Sequence, residues 1–258
     1  MKIAISGKGG SGKTSLTVFL SSYLAKTGKN VLLIDADTAT SLGSALGLRP
    51  EEEPVPLSKM EEIIEERVGS NILSLNPNVA DLPERLAIKL PKLNPDDENE
   101  GVRKLLIMGG LSSAEGGCAC RQNALLKALL AHILTNENDY VIVDMEAGVE
   151  HLGRGTVKDV EALIIVSEPS MRGLKTASEI HKLALDMGLC KQILLINKAG
   201  RTLPISESGH ELPEQTVYLP RLESLEAREF KSGSVLGLSE ESEIDKVMAS
   251  VLKALEAS

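Results

Sequence analysis

The stretch Gly7-Lys8-Gly9-Gly10-Ser11-Gly12-Lys13-Thr14-Ser15 follows a short apolar run, Lys2-Ile3-Ala4-Ile5-Ser6, and leads into a helical segment reaching about Lys26. Strand, glycine-rich turn and helix in that order frame a phosphate-binding loop. Gly7, Gly12, Lys13 and Thr14 fill the G-x-x-x-x-G-K-[ST] spacing. Glycine lets successive backbone N–H groups turn inward onto phosphate oxygens. Lys13 has the length to reach β- and γ-phosphates, and the Thr14 hydroxyl suits Mg²⁺. The helix directs its positive end at the same oxygens. The whole run from Gly7 to Ser15 is therefore a candidate nucleotide-binding element.

Strand and helix signals alternate along the rest of the chain, as in a mostly parallel sheet covered by helices on both faces. Candidate strands are 2–6, 30–35, 72–75, 103–108, 140–144, 162–167, 192–197 and 216–219. Several are unbroken apolar runs, the mark of buried parallel strands. Helical stretches are expected near 14–26, 58–68, 122–134, 172–187, 222–230 and 241–256. The expected fold is thus an α/β, P-loop NTPase domain spanning 1–258. Residues 76–101 carry Pro77, Pro83, Pro91 and Pro95 and then an acidic run from Asp96 to Glu100. They read as an irregular, solvated insertion. The last helix, with Ile244, Val247, Met248, Val251, Leu252 and Leu255 at helical spacing, is expected to pack on the domain.

Carboxylates at the C-terminal ends of parallel strands face the ligand crevice of such a sheet. Asp35 and Asp37 end one candidate strand, and alternation places both on one side. Asp144 ends another after Tyr140-Val141-Ile142-Val143, the pattern that holds Mg²⁺. Gly148, shortly after it, could bring a backbone N–H to a γ-phosphate. Asn197-Lys198-Ala199-Gly200 lacks the Asp of an N-K-x-D guanine reader. The Asn197 amide can instead serve adenine, which makes ATP and ADP the expected nucleotides.

Cys118-Ala119-Cys120 sits between a glycine-rich stretch and a helix expected to start near Arg121. On an extended segment such a pair shares a side, and a helix N-terminus with Arg121 favours thiolates. Two thiolates do not close a tetrahedral site, but a twofold dimer would supply four, a set that suits zinc, nickel or an iron–sulfur cluster. Two small buried side chains are the alternative. Cys190 reads as a buried thiol, His132 as core or interface, and His181 and His210 as surface residues. His151 is open between a helix start and a metal or partner contact.

Lys8 adds a second lysine to the loop. In this the loop resembles that of dimeric ATPases serving division-site selection, plasmid partition, arsenite and tail-anchor transport, and the nitrogenase iron protein. The resemblance implies a homodimer in which Lys8 reaches the partner's nucleotide. It implies Asp37 as the residue that orients or deprotonates the attacking water and contacts Mg²⁺, with Asp35 nearer the loop lysine and Mg²⁺. It also implies that Pro220-Arg221 packs on the base. Lys8, Lys13 and Asp37 are then the catalytic candidates, and Thr14, Asp37 and Asp144 the Mg²⁺ candidates. The loop, the stretch GGCACRQNALLKALL at 116–130 and DMEAGVEHLGRGTVKDV at 144–160 together resemble the nickel-insertion accessory ATPases of carbon monoxide dehydrogenase, close in kind to the maturation factor of acetyl-CoA synthase. This implies coupling of ATP hydrolysis to nickel delivery, with the client enzyme as partner. An iron-protein-like reductase would bind its cluster through two well-separated cysteines, unlike this adjacent pair. A positioning switch on membrane or DNA is the other alternative.

Asp and Glu number 37 against 28 Lys and Arg, a net charge of −9, which argues against broad nucleic-acid binding. No apolar run has membrane-spanning length, and the acidic last helix lacks the basic face of a membrane-surface helix. Three cysteines point to a reducing cytoplasm rather than a disulfide framework.

Overall fold

A computed structural model of the chain describes residues 1–69, 74, 76–110, 117–136, 140–146, 148, 159–200, 205–229 and 231–257. The strands are β1 (Lys2–Gly7), β2 (Val31–Ala36), β3 (Ile88–Lys89), β4 (Arg103–Ile107), β5 (Tyr140–Met145), β6 (Ala162–Ser167), β7 (Gln192–Ala199) and β8 (Gln215–Pro220). They form one sheet in the order β3-β4-β2-β5-β1-β6-β7-β8. Every pairing is parallel except β3 with β4. The helices are α1 (Lys13–Lys26), α2 (Leu42–Ala45), α3 (Glu61–Val68), α4 (Leu82–Leu86), α5 (Gly117–Asn136), α6 (Met171–Asp186), α7 (Glu223–Glu229) and α8 (Glu241–Ala257).

Alternation along the strands divides the core into two layers. Ile3, Ile5, Leu33, Ile142 and Ile164 pack with α1, α2 and α8. Ala4, Ile34, Val141, Val143 and Leu163 pack with α3, α4, α5 and α6 on the opposite face. The expected α/β architecture with both faces covered is what the chain adopts. The last helix also packs as expected, burying Ile244, Met248, Val251 and Leu255. Its Glu241 and Asp245 hold Lys26, the last residue of α1, at 2.6 and 2.8 Å.

Several local readings are corrected. The insertion is less irregular than its prolines suggest. It contains α4 and the edge strand β3, and it sends Val79, Leu82 and Leu90 into the core. Its acidic run is not wholly solvated, because Glu100 is buried and accepts hydrogen bonds from the Leu93 and Asn94 N–H groups. The strand expected at 72–75 falls on residues 72, 73 and 75, outside the described residues. Cys190 is exposed rather than buried. His181 is buried rather than on the surface, and its Nδ1 lies 2.8 Å from Gln192 Oε1.

Candidate nucleotide site

β1 lies between β5 and β6 in the sheet, so its C-terminal end meets the ends of several strands. The loop leaving it is tightly packed. A methyl group at Gly7 would collide with the Val166 carbonyl oxygen of β6, and one at Gly12 with the Asn197 side-chain amide. Gly12 sits at φ +97° directly before α1, a conformation that glycine adopts without steric cost. Lys13 and Ser11 are buried, whereas Lys8, Gly9 and Gly10 are exposed and Thr14 and Ser15 lie between these extremes. The loop therefore has a buried floor and an outward-facing rim, and Lys8 belongs to the rim.

Thr14 Oγ1 donates to Asp144 Oδ2 at 2.7 Å and lies 3.2 Å from Ser41 Oγ. Asp144 Oδ1 is buried and has no hydrogen-bond partner among the described residues. Burial pushes the Asp144 carboxyl up to about 7, opposed by the Thr14 hydrogen bond. A carboxylate oxygen is a strong acceptor, and leaving one bare in the interior is costly. Hard oxygen donors from Thr14 and Asp144, one of them unsatisfied, fit Mg²⁺.

Asp35 is the register partner of Asp144 across β2 and β5. Its carboxylate accepts from the Leu42 N–H at 2.9 Å and the Asp37 N–H at 3.1 Å. Burial still dominates and raises its carboxyl to about 6. Both oxygens accept from the backbone, so Asp35 pins the loop between β2 and α2. Asp37 is half-buried on that loop and its Oδ1 accepts from the Ala39 N–H at 2.9 Å. Thr40 follows at φ +40°, a left-handed conformation that a β-branched residue rarely adopts.

The remaining predicted residues are placed as follows. Asn197 is buried near the end of β7. Its Nδ2 donates to the Ser11 carbonyl at 2.8 Å and its Oδ1 accepts from the Lys198 N–H at 2.9 Å. It thus braces the phosphate loop with the same amide expected to read adenine. The Gly148 N–H is taken up by Ser6 Oγ at 3.0 Å, and Ser6 Oγ also lies 2.9 Å from the Gly148 carbonyl oxygen. Pro220 ends β8 beside Ala199, where Lys198 at φ +56° accompanies a register shift. Arg221 is exposed, and Glu226 holds it at 2.6 and 2.8 Å.

Cys118 and Cys120 were expected on an extended segment ahead of the helix. α5 begins at Gly117, four residues before the expected start, and takes both positions into its first turn. The segment carrying the pair is thus helical rather than extended. Their side chains, His151 and the segment 149–158 lie outside the described residues.

Sequence reasoning missed Ser6, Thr38, Ser41 and Glu146, which join the loops around the crevice. Thr38 donates from its backbone N–H to Glu146 Oε1 at 3.0 Å, and its hydroxyl donates to the same oxygen. The available signal was weak: Thr38 and Glu146 are polar side chains within three residues of the strand-end aspartates, and Ser6 and Ser41 carry no such mark.

Comparison with known proteins accords with this geometry. The CobQ/CobB/MinD/ParA nucleotide binding domain matches residues 2–207. The carbon monoxide dehydrogenase accessory protein CooC of Rhodospirillum rubrum is 41% identical over 205 residues, 77% of this chain and 74% of that protein. An uncharacterized ATP-binding protein of Methanocaldococcus jannaschii is 40% identical over 77% of this chain and 75% of its own length. Among solved structures, the MinC:MinD cell division complex of Aquifex aeolicus superposes with a TM-score of 0.68 at 22% identity, covering 100% of this chain and 96% of that chain. The last likeness concerns the fold alone. The chain is a P-loop ATPase that belongs to the CobQ/CobB/MinD/ParA nucleotide-binding family and, within it, to the group of carbon monoxide dehydrogenase accessory proteins.

Proposed function

We propose that this ATPase works as a homodimer of single-domain protomers, spanning 1–258, that couples hydrolysis to delivery of nickel into carbon monoxide dehydrogenase or acetyl-CoA synthase in the cytoplasm. The observation that carries this reading is the 41% identity to an accessory protein of that enzyme, in a chain that also has a C-x-C at the head of α5. Cys118 and Cys120 of each protomer would take the cargo metal, nickel, with zinc as a competitor for the same thiolates. Membrane and nucleic acid have no part in this reading. No helix among the described residues is long and apolar enough to cross a membrane.

In the proposed hydrolysis, the loop N–H groups from Gly7 to Ser15 bind the phosphates and Lys13 neutralises charge on their terminal oxygens. Thr14, Asp144 and Asp37 would hold Mg²⁺, which supplies further charge neutralisation at the β- and γ-oxygens. Asp37 orients a water molecule and accepts its proton as the water oxygen attacks the γ-phosphorus. The bond from phosphorus to the β–γ bridging oxygen breaks, leaving ADP and phosphate. Lys8, on the exposed rim, would reach the nucleotide of the other protomer. Gly148 would exchange its Ser6 contact for the γ-phosphate. Asn197, Pro220 and Arg221 would flank the base, with Arg221 first leaving Glu226.

Anaerobic size-exclusion with inline metal analysis tests the reading, on wild type and Cys118→Ala/Cys120→Ala, with and without nickel and ATP. The expected result is about one nickel per dimer through four thiolates, lost in the double variant with ATP binding retained. Full metal stoichiometry in the double variant would sink the C-x-C site. An oligomeric state indifferent to ATP would sink the coupling.

A further inference from the structure

The loops that follow β2 and β5 are tied together through Glu146 and Thr38. The Glu146 carboxylate accepts both the backbone N–H and the hydroxyl of Thr38, 108 positions away in sequence. Glu146 stands two residues after Asp144, and Thr38 stands next to Asp37. A charged acceptor taking two donors on one oxygen is a stronger tie than a neutral contact of the same geometry.

The surroundings show why this tie matters. The loop from Asp37 to Ser41 is fastened behind by Asp35, which accepts from the Asp37 and Leu42 N–H groups. It holds Thr40 in an unfavourable left-handed conformation, which persists only where neighbouring contacts over-determine it. On the other side, Ser6 holds Gly148 through its N–H, and Ser6 Oγ also lies 3.1 Å from the Glu146 carbonyl oxygen. Any displacement of the 145–148 segment away from Ser6 therefore reaches Thr38 through the Glu146 side chain.

We propose that Glu146 is a positioning residue for hydrolysis: it transmits movement of the segment after β5 to the Asp37 loop, so that the proton acceptor is set only when Gly148 has engaged the terminal phosphate. This rests on the roles given above to Asp37 and Gly148. Glu146 itself touches neither water nor phosphate in this scheme. It acts on kcat through Thr38, and the binding floor built by Lys13 and Ser11 is independent of it.

The test combines steady-state kinetics with hydrogen exchange on the full-length protein. Glu146→Ala should lower kcat about tenfold or more, with KM for ATP within about twofold of wild type. Glu146→Gln keeps an acceptor oxygen for Thr38 and should recover most of the loss. Thr38→Val should cost less than Glu146→Ala, and the double variant should be no worse than Glu146→Ala alone. With a non-hydrolysable ATP analogue, exchange in peptides covering 36–41 and 145–148 should change together in wild type. In Glu146→Ala only the second should respond. The proposal is overturned by an unchanged kcat, by equal losses in binding and turnover, by a Gln variant as poor as Ala, or by both peptides responding without Glu146. Asp37→Ala separates the layers: wild-type turnover there overturns the Asp37 assignment itself, whereas a dead Asp37→Ala beside an unimpaired Glu146→Ala overturns only the coupling.

Discussion

The C-terminal ends of β2 and β5 each carry a buried aspartate, and the two stand opposite each other in register. They have been given different surroundings. At the end of β2, two backbone N–H groups close on Asp35 and no oxygen is left over. At the end of β5, one hydroxyl meets Asp144 and the second oxygen is bare among the described residues. Burial alone does not separate a structural carboxylate from a chemical one. The donors around it do, and an unsatisfied oxygen marks the place where an incoming group completes the set.

The largest expected effect falls on the β5 side. Asp144→Asn should cut ATP turnover by about 10²–10³-fold, the scale of losing one preorganised electrostatic contact. The apo protein should melt no lower than wild type, because the neutral amide removes a buried charge. A variant that hydrolyses normally would erase the distinction. On the β2 side the effect is on folding. Asn at position 35 offers one acceptor oxygen and an N–H₂ group where two backbone donors converge, and should cost about 2–3 kcal/mol in denaturant titration. If Asp35→Asn instead spares stability and abolishes turnover, the two roles have been assigned the wrong way round.

A third test uses pH. Both carboxyls are raised by burial, to about 6 for Asp35 and about 7 for Asp144. The folded state then binds more protons than the unfolded chain above about pH 4, so apo stability is fullest below the unfolded carboxylate range. It should be lost as pH rises from about 4 through 6 and 7, at up to about 1.4 kcal/mol per pH unit for each group. Asp144→Asn should abolish the slope between about pH 6 and 7 and halve it between about pH 4 and 6, which urea titrations at pH 4, 5.5, 7 and 8 would resolve. The smallest effect is expected at Asn197, which braces the loop. Asn197→Ala gives up the hydrogen bond to Ser11 and should cost about 1 kcal/mol with a modest rise in KM for ATP. Loss of nucleotide binding altogether would promote Asn197 from brace to base reader.

Features encoded in neighbouring residues were legible before the structure. Apolar runs located β1, β2, β4, β5, β6 and β7, because a strand buried on both faces leaves no polar gaps. Asp35, Asp37 and Asp144 were singled out because strand ends and ligand crevices coincide in such sheets. What stayed hidden depends on partners distant in sequence. Thr38 and Glu146 meet only once β2 and β5 are paired, and Ser6 finds Gly148 the same way. His181 is buried because Gln192 offers it a polar partner, which helix periodicity alone does not reveal. The start of α5 was misplaced because Gly116 and Gly117 read as breakers, yet the helix begins within that pair and takes in the cysteines. β3 was missed because two residues leave no periodic trace.

Lys26 draws one further consequence from the architecture. It closes the helix whose opposite end faces the phosphates, and the carboxylates of Glu241 and Asp245 clamp it there. A helix of 14 residues is about 20 Å long, so the site's main rod is anchored far from its working tip. The clamp comes from a segment beyond residue 207, where the match to the shared nucleotide-binding domain stops. Loops on either side of such a rod can shift while the rod stays still, so that their motion does not tilt the phosphate floor. A chain cut before Glu241 would lose that fixed reference, and the slack would be felt at the phosphates although no residue near them had changed.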